Sequence, residues 1–231
     1  MPYRPPHARA VTPGGKGRFP GFDTLDQVEF WDDVTAGVVL SRLDPQPEMI
    51  FFTPAEQATA GALCDRLLAQ DDEPKVPVLL LVDRRLSAGE TDGWRYADMP
   101  EDSDAWRRTI AALDDDANGR FGRPFHALAV EEQGSIIEDV RTKDHWHGLP
   151  AQRVWSLWTR YTSTAFYSHP WAWNEIGFGG PAYPRGYKAL GVGKREPWEV
   201  ADHHQSDPVQ FEQRVHRATA SHAQVTGDQG A

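Results

Sequence analysis

Thiol chemistry is nearly missing from this chain, since Cys64 is the one cysteine among 231 residues. One thiol forms no intrachain disulfide, and it leaves too few thiolates for a Cys-ligated iron–sulfur cluster or a C-x-x-C-H haem site. Long apolar runs are scarce too. The longest clear one is Val76–Val82, against the roughly 20 residues that span a bilayer, so no membrane insertion is expected. Basic charge is in short supply: 24 Lys and Arg stand against 34 Asp and Glu, for a net charge of −10. Such a chain repels phosphate backbones and anionic lipid, which argues against nucleic-acid partners and electrostatic membrane attachment. Met1–Phe22 carries Pro, Gly and scattered basic residues with no hydrophobic stretch behind them, unlike a secretory signal. The expected location is cytoplasmic.

Motifs that announce catalysis are also few. Gly191-Val192-Gly193-Lys194 lacks the spacing of a phosphate-binding loop, and no G-x-S-x-G elbow occurs. His145, His147 and the pair His203-His204, with Glu131, Glu132 or Glu138 nearby in sequence, are candidate metal ligands. Against them stand the lack of an H-E-x-x-H or Glu-x-x-His pair and their polar, loop-like surroundings. A metal-dependent enzyme using His145 and His147 stays open as an alternative.

What the chain has is helical periodicity. Met1–Gly21 reads as an extended arm rich in Pro and Gly. Thr24–Gln27 has the spacing of a capping box, and Leu25, Val28, Trp31, Val34 and Val38 follow at near-helical intervals until Pro45 and Pro47. Thr53-Pro54-Ala55-Glu56 is the strongest helix start: a hydroxyl cap, a proline at the first helical position and a carboxylate that reaches back. Ala60, Leu63, Cys64, Leu67 and Leu68 then line one face. Cys64 falls on that face, as a small hydrophobe would. Val76–Leu86 fits a buried strand or a buried helix equally well. Thr91–Ser103 reads as a loop. Trp106, Ile110 and Leu113 mark a helix expected to stop at Asn118-Gly119, and Asp114–Asp116 would then be its solvated end. Two short helices are expected around Phe121–Leu128 and Ile136–Val140. Val154, Leu157, Trp158, Tyr161 and Ala165 mark another that His169-Pro170 ends. No sustained alternation of period two occurs, so the expected fold is mainly α. It comprises the arm 1–21, a compact helical domain over 22–190 with long Pro/Gly-rich loops, and a C-terminal extension over 191–231 in which Asp207-Pro208 can start a short helix.

Several of the nine tryptophans and many other aromatics crowd into His169–Tyr187. Its glycines and prolines are expected to preclude a regular helix across it. Three readings remain: the segment closes the chain's own core, it docks a partner, or it is an aromatic platform of a stand-alone carbohydrate-binding module. For docking, the candidate residues are Trp171, Trp173, Phe178, Tyr183 and Tyr187 as anchors, with Glu175 and Arg185 as polar registers. Trp173→Ala would then weaken partner binding and leave the melting temperature nearly unchanged.

Phe52–Leu68, Val76-Pro77-Val78, Val82-Asp83, His169-Pro170-Trp171 and above all Gly177-Phe178-Gly179-Gly180-Pro181-Ala182-Tyr183-Pro184 resemble the gluconate 2-dehydrogenase subunit 3 family. The likeness runs from about Phe51 to Leu190. It implies a small helical subunit that accompanies a large flavoprotein of the glucose–methanol–choline oxidoreductase type. In that division of labour FAD and catalysis belong to the partner, and this chain contributes no cofactor-binding or catalytic residue. Many members of the family carry a twin-arginine export signal. None stands at this N-terminus, which shifts the expected role from export to holding a cytoplasmic flavoprotein together.

Overall fold

The computed structural model describes residues 19, 21–43, 48–71, 73–191 and 194–200. Most of the arm 1–21, Pro45 and Pro47, His203-His204 and the helix expected from Asp207 lie outside those residues. The described part is mainly α, with one two-stranded hairpin.

Helix α1 spans Asp33–Leu40 and follows a 3-10 helix at Thr24–Phe30. The single helical stripe expected here is divided in two. Asp23, not Thr24, caps the 3-10 segment through Leu25, and Asp32 starts α1 afresh by accepting from the Thr35 amide at 2.8 Å. The restart rotates the faces: Leu25, Trp31 and Val39 are buried, whereas Val34 is 74% exposed and Val38 51%.

Helix α2, Pro54–Leu68, begins as its sequence dictates. The Glu56 carboxylate accepts from the Thr53 amide at 2.8 Å, and the Thr53 hydroxyl accepts from the Glu56 amide at 3.4 Å. Burial works against the Glu56 charge, but these bonds and the Arg107 guanidinium at 2.6 Å outweigh it and hold the carboxyl below its ordinary range. Ala60, Leu63 and Cys64 are buried, and burial pushes the Cys64 thiol up, away from reactivity.

The Val76–Leu86 segment resolves as helix α3, Val78–Ser87. Its buried side carries Val78, Val82 and Leu86, with Asp83 among them. Asp83 is fully buried and accepts from three successive amides, Ile50 at 2.7 Å, Phe51 at 3.0 Å and Phe52 at 2.8 Å. That fan of bonds fastens the strand-like entry to α2 onto α3.

Helix α4, Asp102–Phe121, runs through Asn118-Gly119 and stops at Gly122, whose φ of 68° is the left-handed cap glycine favours. Asp114–Asp116 therefore lie inside a helix, not at its end. Asp114 binds the Thr59 hydroxyl at 2.9 Å and the Phe125 amide at 2.8 Å, joining α4 to α2 and to a 3-10 turn at Phe125–Ala127. That turn is all that forms of the helix expected around Phe121–Leu128. Asp71, which follows α2 without a helix start to explain it, pairs with Arg66.

Helix α5 is Val130–Thr142 and α6 is Ala151–Tyr167. Between them β1, His145–Trp146, pairs antiparallel with β2, Leu149–Pro150. The turn residues His147 and Gly148 both have positive φ, 47° and 76°, the pattern of a two-residue hairpin turn. The main core lies between α2, α4 and α6. Trp106, Trp158 and Tyr161 are its largest members, and the Trp158 indole N–H donates to Thr109 Oγ1 at 3.0 Å. A second, smaller cluster joins Leu25, Trp31, Val39 and Trp173. It sets the geometry of the aromatic segment.

Candidate interaction surface

The first part of His169–Tyr187 is helical after all. Helix α7, Pro170–Ile176, tolerates its proline because the residue occupies the first helical position, where no amide is needed. His169 caps it, with Nδ1 accepting from the Trp171 amide at 3.2 Å. The expectation that glycine and proline preclude a helix holds only from Gly177 onward.

His169 is 1% exposed. Burial lowers its pKa to about 4, with the Arg42 charge adding to the effect. The ring is thus neutral in the folded chain and charged in the unfolded chain at mildly acidic pH. Its contribution is whole above the ordinary value of 6.5 and is lost as pH falls from there toward about 4. Stability at about pH 5 is expected to be about 2 kcal/mol lower than at about pH 7 from this group. Urea titrations of the native chain and His169→Asn at both pH values check it; equal pH slopes would refute the assignment.

Beyond the cap, the segment turns its sequence-selected residues in two directions. Trp173 is buried, donates its indole N–H to the Tyr167 carbonyl at 2.6 Å and packs edge-on to Phe178 at 5.4 Å. Trp171 is half-buried against the main core and sits edge-on to His169 at 4.9 Å. Arg185 is half-buried, donates to the Gln27 side chain at 3.0 Å and the Gly179 carbonyl at 2.9 Å, and lies 3.8 Å from the Trp198 ring centre. Glu175 is half-buried, and its Oε1 has no hydrogen-bond partner among the described residues. Phe178, Tyr183 and Tyr187 face outward, 39%, 66% and 53% exposed. Ile176 and Leu190, which sequence reasoning passed over, are exposed beside them in the chain.

Close approach explains the glycines. A Cβ on Gly177 would lie 2.5 Å from Val200 Cγ2, one on Gly179 would lie 2.6 Å from Trp198 Cδ1, and one on Gly180 would run into Trp31 Cζ2. Gly177 and Gly180 also have φ of 68° and 75°, outside the range of most side chains. Asn174, another residue the sequence did not single out, receives the Thr24 amide at 2.8 Å and reaches Asp23 at 3.3 Å. The segment is thus clamped inward on Thr24, Trp31 and Trp198, and its outer side presents tyrosine and phenylalanine.

The histidine candidates are placed differently. His145 is exposed, and His147 Nε2 lies 2.8 Å from Asp116 Oδ1. The other Asp116 oxygen accepts from the Trp146 indole at 2.8 Å. Burial opposes the Asp116 charge, but the bonds from Trp146 and His147, with the charges of His147 and Arg120, hold its carboxyl below the ordinary range. Glu132 pairs with Arg123, and Glu138 with Arg141. Among the described residues no three His, Cys, Asp or Glu side chains converge on a point where a metal ion could sit.

The family model for gluconate 2-dehydrogenase subunit 3 matches residues 54–180. The chain belongs to that family. The match opens at the first residue of α2 and closes on Gly180, so it takes in the main core, α7 and the glycine clamp. No curated protein and no solved structure matches this subunit 3 chain. The exposed Tyr183 and Tyr187, like the Thr24–Phe30 turn under the clamp, fall outside the matched stretch.

Proposed function

We propose that this subunit 3 chain is a non-catalytic small subunit that binds and stabilises, or matures, a FAD-dependent alcohol or sugar oxidoreductase of the glucose–methanol–choline type. FAD and the reacting groups belong to the partner, and the complex works in the cytoplasm. Family membership supports the role of a dehydrogenase subunit. The observation that carries the docking reading is the exposed row Phe178, Tyr183 and Tyr187, set on a backbone pinned by Gly177, Gly179 and Gly180. Tyrosine and phenylalanine on a rigid support lose little conformational freedom on binding, which is what interface anchors need. Trp173 serves that surface from beneath, as the buried post on which the row stands.

The test is co-expression with the neighbouring flavoprotein and affinity capture. The double variant Tyr183→Ala/Tyr187→Ala is expected to weaken capture by more than about 2 kcal/mol, the scale of an interface hot spot, with its own melting temperature unchanged. Trp173→Ala is expected to lower the melting temperature of the isolated chain. A flavoprotein that is fully active and stable without this chain, or capture that survives the double variant, would sink the proposal.

A further inference from the structure

We propose that a groove beside Asp102, remote in sequence from the aromatic segment, binds one small neutral polyhydroxylated molecule, a sugar or polyol. The loop between α3 and α4 arches over the start of α4 and over α6. Under it lies a cavity of about 220 Å³ lined by Thr91, Gly93, Trp94, Arg95, Glu101 and Asp102. A second cavity of about 150 Å³ shares Thr91, Glu101 and Asp102 with the first and continues it toward Ser103 and Tyr161. The two form one groove with a common polar floor.

That floor is built. Asp102 is 9% exposed and accepts the Tyr161 hydroxyl at 2.7 Å, with Arg160 at 3.5 Å. Arg160 also pairs with Asp92 at 2.5 Å, Arg85 pairs with the same carboxylate, and Arg95 lies 3.1 Å from Glu101. Even so, Arg85 Nη1 and Arg160 Nε are buried with no hydrogen-bond partner among the described residues. Buried guanidinium N–H groups without an acceptor are costly, and an acceptor delivered by a ligand or by water removes that cost.

The chemical class follows from what surrounds these donors. Glu90, Asp92, Glu101 and Asp102 outnumber Arg85, Arg95 and Arg160, so a further negative charge is disfavoured. A hydroxyl suits the mixture, because one oxygen accepts from a guanidinium and donates to a carboxylate. Trp94 supplies the apolar wall. Its ring is held edge-on to Tyr96 at 5.0 Å with the Arg160 guanidinium 4.8 Å from its centre, and it remains 48% exposed. A few convergent polar groups beside one aromatic face is the general make-up of a small-molecule site. The inference stands apart from the docking reading, since neither uses the other's residues.

The experiment is titration calorimetry on the full chain with glucose, sorbitol and gluconate as probes. Glucose or sorbitol is expected to give saturable heat, with gluconate weaker. Trp94→Ala is expected to weaken binding about tenfold, and Glu101→Gln to weaken it as well without altering the fold. Circular dichroism checks that both variants remain folded. No saturable heat with either neutral probe, heat unchanged in both variants, or gluconate binding more tightly than glucose would each overturn the assignment.

Discussion

Asp83→Ala is expected to destabilise this subunit by about 3–5 kcal/mol, the range for removing one partner of a buried ionic network. Three consecutive amides, those of Ile50, Phe51 and Phe52, end on this one carboxylate. Phe52 is buried and packs edge-on to Trp106 at 6.1 Å, and Arg107 reaches the Phe51 carbonyl at 2.6 Å. Loss of the carboxylate leaves buried donors without acceptors and frees the entry to α2 from α3. Asp83→Asn is expected to fall between the native chain and alanine. Its one carbonyl oxygen can still serve Phe51 and Phe52, whereas its amide nitrogen would face the Ile50 amide. Chemical denaturation of the three proteins measures the series. A cost below about 1 kcal/mol for alanine, the scale of an ordinary surface change, would show that the fan of bonds contributes little.

Gly180→Val is the second large effect, expected to cost at least about 3 kcal/mol, because overpacking and an unfavourable φ act together. In a chain of this size that corresponds to a melting temperature lower by about 6–12 °C. The φ of 75° disfavours a β-branched residue, and the new Cβ would meet Trp31, with Thr24 Oγ1 at 3.1 Å. Trp31 belongs to the small cluster with Leu25, Val39 and Trp173, so displacing it opens the seat of α7. Partner capture should fail with this variant together with its stability. That separates it from Tyr183→Ala/Tyr187→Ala, where capture alone is expected to fail. Thermal melts of Gly180→Val that match the native chain would refute the clamp.

Much of the helical framework was legible because its signals are local. The cap at Thr53, the stripe Ala60–Cys64 and the proline stop at Pro170 each depend on residues within a few positions of one another. Asp83 could have been found the same way. It sits beside Val82 on the face that Val78 and Leu86 bury, and an acid on an apolar face requires partners. Errors arose where local signals competed. Thr24 and Asp23 are both good caps, and the choice between them was made by Asn174, 150 residues away, which takes the Thr24 amide. Asn118-Gly119 resembles a helix end, yet Gly122 supplies the left-handed cap one turn later while Asp114 and Asp116 are engaged by α2 and the hairpin.

The candidate surface follows the same division. Composition and motif were enough to single out His169–Tyr187 and to place the chain in its family, since aromatic density and the Gly-Phe-Gly-Gly run are properties of the linear sequence. Which aromatics point inward was not, because a loop without periodicity has no face until it packs. Tertiary contact sent Trp173 into the cluster with Trp31, stacked Arg185 on Trp198 and left Phe178, Tyr183 and Tyr187 in solvent. The groove beside Asp102 had no sequence signal at all. Its polar groups come from α3, the following loop, α4 and α6, and only folding brings them within hydrogen-bonding distance. The sequence by itself determined the helices, their caps and the family; the tertiary structure decided orientation, because burial is a property of neighbours that the chain order does not specify.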